Sequence, residues 1–152
     1  MLYFAYGSNM DPKQMEDRCP DAKVFGMGYL AEHAICFPRR SLRRACGVSS
    51  VEPRAGHVTW GVVYEISARD IAALDKSEGY RSDRDARQNA YNRVAVDVNI
   101  NGELVRVETY IAEPQEGAHV PNKPYLSHIL KGARHHRLPE DHIALLGEIA
   151  WV

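Results

Sequence analysis

Residues 91 to 112, YNRVAVDVNINGELVRVETYIA, consist of two stretches of alternating character on either side of Asn101-Gly102. Both central residues of a type I′ turn need positive φ, which Asn and Gly tolerate, and that turn matches the right-handed twist of paired strands. The segment therefore specifies an antiparallel hairpin, and any fold for this chain has to build a sheet around it.

The other elements follow from local chemistry. Leu2 to Tyr6 is apolar and aromatic enough for an interior strand, which Gly7-Ser8-Asn9 ends. Asp11 and Pro12 supply an N-cap and a pre-set first residue for a short helix to about Arg18. Strand-like sequence returns from Val24 to Phe37, where Gly26 and Gly28 mark bulges or a bend. Residues 38 to 56 lose all periodicity and carry Pro38, Gly47, Pro53, Gly56 and the run RRSLRR, so a mobile loop is predicted there. HVTWGVVYEI, 57 to 66, is a strand. Ser67 with Asp70 then opens a helix that carries Ile71 and Leu74 on one face and stops at Gly79. After a Pro-rich loop (114 to 124), one helix runs from about Tyr125 to His136. Leu138-Pro139 breaks it, and a last helix ends near Ile149. Strands with helices between and after them make this an α+β domain with a mostly antiparallel sheet. Its glycine interruptions suggest that the sheet curls toward a barrel. At 152 residues and 45% hydrophobic content, one domain over 1 to 152 is expected.

Composition excludes several functions. A formal net charge of −1 leaves no global basic field, so nucleic acid is not an expected partner. Cys19, Cys36 and Cys46 are odd in number and lack CxxC spacing, which argues against a disulfide framework or zinc site and for a reducing, cytoplasmic setting. No basic segment with an apolar run follows the first residue, and no apolar stretch approaches the roughly 18 residues of a membrane span. Among the seven histidines no His-x₃-His or HExxH pattern occurs, so no metal site is expected.

Four constellations could carry chemistry. The loop Tyr6-Gly7-Ser8-Asn9 leads into a helix, and successive N–H groups at such a turn can receive an anion or a carbonyl oxygen. The same composition also suits an ordinary strand-to-helix turn. In LDKSEGY, 74 to 80, Glu78 sits at a helix C-terminus, where the negative end of the macrodipole raises a carboxyl pKa toward the range of a general base. Asp75 meets the same argument one turn earlier, and a solvated helix-end charge is the plain alternative. Tyr3, Tyr6, Tyr91, Tyr110 and Tyr125 stand at strand ends or beside loops, where they can wall a polar pocket and donate hydrogen bonds, or simply form core. Arg39, Arg40, Arg43 and Arg44 could meet an acidic ligand, although a charge run in a loop is usually solvated.

LYFAYGSNM, WGVVYEI, LDKSEGY and PYLSHILKGARHHRLPEDHIALL, in that order, resemble the γ-glutamylcyclotransferase family, also called AIG2-like or BtrG-like. The resemblance implies a small mixed β-barrel flanked by helices, with a pocket at one end. It implies cleavage of a γ-glutamyl amide without water: the substrate's α-amino group attacks its own γ-carbonyl, giving 5-oxoproline and a released amine or amino acid. Carried onto this chain, it assigns Glu78 as catalytic acid/base and Tyr6, Gly7, Ser8 and Asn9 as the substrate-binding loop, with Tyr91, Tyr110 and Tyr125 as pocket tyrosines. A small-molecule γ-glutamyl substrate and no cofactor are implied, and a homodimer is compatible with it. Two segments depart from a minimal member: the Arg-rich 38 to 56, and YRSDRDARQNA (80 to 90), expected near a pocket lid. A non-catalytic module that binds a glutamyl-like ligand on the same scaffold is the alternative reading.

Overall fold

The computed structural model describes residues 1–152. Five strands close into a barrel: β1 (Leu2–Ala5), β2 (Lys23–Ser41), β3 (Cys46–Glu65), β4 (Tyr91–Ile100) and β5 (Glu103–Ala112), in the spatial order β1-β3-β2-β4-β5. Neighbours are antiparallel except at the seam, where β1 runs parallel to β5 with Tyr3 opposite Glu108. Four helices flank it: α1 (Pro12–Arg18), α2 (Ala68–Ser77), α3 (Lys123–His135) and α4 (Glu140–Gly147). No helix is long and apolar enough to cross a membrane.

The hairpin forms as read, with Asn101 and Gly102 both at positive φ and Ile100 paired with Glu103. β1 is apolar throughout because both its faces are covered. Phe4 packs with Leu30, Val63, Val98 and Val107 in one cluster, while Tyr3 and Ala5 pack with Val62, Tyr64, Leu74 and Ile129 beneath the helices. A strand buried on both faces reads as a continuous apolar run rather than an alternation. Barrel closure depends on Gly28: β4 comes so near that a Cβ there would lie 2.5 Å from the Asn99 carbonyl oxygen, beside the single β2–β4 pair, Tyr29 with Asn99.

The loop expected over 38 to 56 is instead paired strand. β2 continues to Ser41 and β3 begins at Cys46, so only Leu42 to Ala45 form the turn. Periodicity fails there because the ribbon is irregular, with register shifts between Ala31 and His33 and between Cys36 and Arg39. Each shift exchanges the two faces of the ribbon, so no alternating pattern survives across it. Pro38 falls inside the second shift, where no ladder bond is lost.

The short turn Ser8–Met10, a single 3₁₀ turn between β1 and α1, is clamped from behind by α3. A Cβ at Gly132 would lie 2.3 Å from the Met10 carbonyl carbon, so only glycine allows this approach. His136 Nε2 is 3.1 Å from the Met10 carbonyl oxygen, which can only accept, so the bond uses the Nε2–H tautomer. Asp11 caps α1 through the Lys13 amide at 3.2 Å and meets His128 Nδ1 at 2.6 Å. Burial opposes the Asp11 charge, but these hydrogen bonds and nearby Lys131 hold its carboxyl below the usual carboxylate range.

Gly132→Ala should cost about 1–3 kcal/mol in urea unfolding, because an inserted methyl meets fixed backbone. Gly147→Ala, whose Cβ would meet nothing within 4 Å, should be neutral or stabilising. Equal behaviour of the two variants would contradict this packing.

Candidate active site

A cavity of about 510 Å³ opens at the end of the barrel beside the Ser8–Met10 turn. Tyr6, Gly7, Ser8, Asn9, Glu78, Tyr91, Tyr110 and Tyr125 all line it, although they come from five separate stretches of the chain. Segment 80 to 90, expected near a lid, contributes only Ala90 to the lining. Its charges pair among themselves, Arg81 with Asp83 at 2.7 Å and Arg87 with Asp85 at 2.9 Å.

Glu78 is delivered by the end of α2. Ser67 caps the start of that helix by accepting from the Asp70 amide, while the Asp70 carboxylate makes no return bond, so only half of a capping box forms. At the other end the Gly79 amide donates to the Lys76 carbonyl at 3.3 Å and the Tyr80 amide to the Asp75 carbonyl at 2.8 Å, with Gly79 at φ +68. This is a Schellman ending, and it needs the left-handed glycine that the sequence places there. The Tyr91 amide donates to the Glu78 carbonyl at 3.2 Å, tying the residue to β4 as well. The backbone is thus held on both sides while the side chain points at the cavity.

Asn9 sets the orientation of that side chain. Its Nδ2 donates to Tyr3 Oη at 3.0 Å and to Glu78 Oε1 at 3.5 Å, and its Oδ1 accepts from Gln14 Nε2 and Arg18 Nη1, both at 2.9 Å. With both donors and both lone pairs engaged, the amide has one orientation. Gln14 extends the network: Nε2 also donates to Ser8 Oγ at 2.8 Å, and Oε1 accepts from Arg44 Nη2 at 2.7 Å. Arg18 Nη1 stands 3.8 Å from Glu78 Oε1.

Burial pushes the Glu78 carboxyl above its ordinary pKa, outweighing the opposing pull of Arg18, Arg43, Arg44 and the Asn9 hydrogen bond. Its side chain is 17% exposed, so the group is desolvated yet open to the cavity. Asp75, which dipole reasoning could not separate from Glu78, is spoken for: it accepts from Tyr110 Oη at 2.7 Å and pairs with Arg93 at 3.2 Å.

The tyrosines wall the cavity, but most of their hydroxyls are used within the protein. Tyr6 Oη donates to the Tyr110 carbonyl, Tyr91 Oη donates to the Ser49 carbonyl at 2.6 Å, and Tyr110 donates to Asp75. Tyr125 Oη accepts from the Ser49 amide at 2.9 Å and shares a 2.8 Å bond with Ser49 Oγ. Gly7 permits a close approach, although the neighbour is β3 itself: a Cβ there would lie 2.5 Å from Ser49 Oγ. Polar groups left for a ligand are Glu78, the arginines and the opening amides of Ser8 and Asn9, which have no acceptor within their own turn. Sequence reasoning missed Gln14, Arg18 and Ser49. Gln14 and Arg18 stand four residues apart on α1, on the same face, which is the only local signal they carried.

A carboxyl whose folded pKa exceeds its unfolded value, about 4.3, adds stability that is complete below that value and lost as pH rises through the folded one. Glu78→Gln removes this loss. The stability of the variant relative to the parent should therefore increase from about pH 4 to about pH 7. Urea midpoints at several pH values check this, and a constant or shrinking difference would contradict a buried carboxylate of raised pKa.

A family model described as the AIG2-like family matches residues 58–146. The gamma-glutamylcyclotransferase of Mus musculus is 27% identical over 146 residues, 93% of this chain and 74% of that protein. That of Homo sapiens is 26% identical over 145 residues, 91% of this chain and 72% of the relative. A solved structure of a gamma-glutamyl cyclotransferase superposes with a TM-score of 0.90 at 25% identity, covering all of this chain and 89% of its own. The fold is thus shared with that structure, and the chain belongs to the AIG2-like family.

Proposed function

We propose that this protein is a γ-glutamyl cyclotransferase that converts a γ-glutamyl amide into 5-oxoproline and a free amine or amino acid, with Glu78 as its acid/base. The observation that carries this reading is Glu78 itself: a single desolvated carboxylate of raised pKa, facing the cavity and oriented by Asn9 against the Gly7 to Asn9 loop. The names of the relatives at 26–27% identity support the same chemistry.

The reaction needs little beyond these groups. An α-ammonium has a pKa of about 7.7–8, so a carboxylate of raised pKa is suited to take its proton. The freed amine attacks the γ-carbonyl, a new C–N bond closes the five-membered ring, and the bond to the leaving nitrogen breaks. Of the three protons on the α-ammonium, one stays on the lactam nitrogen and two depart on the released amine, so Glu78 works in both directions. Nucleophile and electrophile belong to one molecule, and the site's main task is to hold the glutamyl chain in its cyclising conformation. The Ser8 and Asn9 amides would receive the glutamyl carboxylate or the developing oxyanion. No step calls for a cofactor.

Assays with γ-glutamylalanine should give 5-oxoproline, and Glu78→Gln should lower kcat by about 10²–10⁴-fold while binding persists. Ser8→Ala should act mainly on KM, by a few-fold, since its hydroxyl accepts from Gln14 rather than facing the ligand alone. Turnover at the parent rate by Glu78→Gln would contradict the assignment.

A further inference from the structure

The end of β2 carries Arg39 and Arg40, the turn after it Arg43 and Arg44, and all four line the candidate active-site cavity, as do Arg18 and Lys76. Some arginines elsewhere on the surface face carboxylates: Arg69 with Asp21, Arg81 with Asp83, Arg87 with Asp85 and Arg106 with Asp97. None of Arg39, Arg40, Arg43 and Arg44 does. Arg39 donates to the Glu113 carbonyl at 3.2 Å, and Arg44 donates to Gln14 and lies 5.0 Å over the Tyr125 ring. Arg40 and Arg43 have no side-chain partner at all and are exposed at the mouth.

The anions available to this set are few. Glu78 is the one carboxylate lining the cavity, and Arg18 stands beside it. A bound glutamyl group adds a single α-carboxylate. At least three cations then remain without an anion around a concave, partly desolvated mouth, an arrangement that focuses a positive field on whatever projects from the glutamyl group. One carboxylate satisfies one bidentate guanidinium. The cations also fall in two places: Arg43 and Arg44 bear on Glu78, whereas Arg39 and Arg40 are tied toward Glu113 and Gln115 after β5, with the Arg40 amide donating to Gln115 Oε1 at 2.9 Å.

We infer that the end of β2 with the turn after it, Arg39 to Arg44, is the leaving-half subsite, and that it favours a leaving group bearing two negative charges, as an acidic amino acid does. This inference rests on the cyclotransferase reading, to which it adds an order of preference among γ-glutamyl amides, with dianionic leaving halves first. A cationic or neutral amine would meet only repulsion or unpaired arginine there.

The test is a charge ladder: γ-glutamylglutamate and its isostere γ-glutamylglutamine carry two and one negative charges on the leaving half, and the smaller γ-glutamylethylamide carries none. The parent enzyme should show kcat/KM rising about tenfold with each added charge, the scale of one charge-assisted hydrogen bond, and the ladder should flatten with added salt. In the Arg40→Gln, Arg43→Gln double variant the glutamate-to-glutamine ratio should fall to about threefold or less. Both side chains are exposed and unpartnered, so folding should survive; should the double variant not fold, each single variant reads the same ratio. Calorimetry on Glu78→Gln measures the same ratio in Kd without turnover. It separates the two readings: absence of 5-oxoproline from all three substrates would sink the cyclotransferase assignment, while the Kd ratio still decides the subsite. Equal handling of glutamate and glutamine, a preference for the ethylamide, or a ladder unchanged in the arginine variants would overturn the inference.

Discussion

The close seating of α3 on the Ser8–Met10 turn is the contact on which the rest of the site depends. A turn between a strand and a helix is ordinarily exposed, because its backbone groups need water. Here Gly132 lets a helix lie against the Met10 backbone, and His136 and Tyr64 satisfy the Met10 and Asn9 carbonyls that the helix cuts off from solvent. The buried turn fixes the Asn9 side chain, and Asn9 in turn fixes Glu78 and Arg18.

That rigidity bears on the proposed chemistry. A carboxylate that accepts a proton and then returns it is helped by a pKa above the ordinary range, and burial raises that of Glu78 by disfavouring the charge. Arg18, Arg43 and Arg44 oppose the effect. The tyrosines meanwhile spend their hydroxyls on neighbouring backbone and on Asp75, so they shape the cavity instead of competing for the ligand. In the proposed reading, selectivity falls to the amides of the turn, to Glu78 and to the arginine rim.

Much of this was legible wherever a local rule fixes a local structure. Asn101-Gly102, the Asp11-Pro12 start of α1, the Ser67 cap and the Gly79 ending each depend on the φ preference or hydrogen bonding of one or two residues, and each is found where read. The site residues came as a set from a resemblance, since no local rule joins Asn9 to Glu78, 69 residues on. Residues 38 to 56 were misread because strand signals assume an unbroken period of two, and the register shifts of β2 break it. Arg39, Arg40, Arg43 and Arg44 read either as partners for an acidic ligand or as a solvated run in a loop, and it is the long paired strands with their short turn that hold them over the cavity. Gln14 was invisible because its role exists only after Arg44 has been brought to α1 by the barrel.

The central claim is that the substrate's own nitrogen, and not water, attacks the γ-carbonyl. Turnover of a γ-glutamyl dipeptide in ¹⁸O-enriched water tests it most directly, with both possible products resolved by mass spectrometry. The account predicts 5-oxoproline with no ¹⁸O and no free glutamate. Free glutamate carrying one ¹⁸O in its γ-carboxylate would mean that the cavity holds a hydrolytic water and that Glu78 activates it, and the cyclisation mechanism would be wrong.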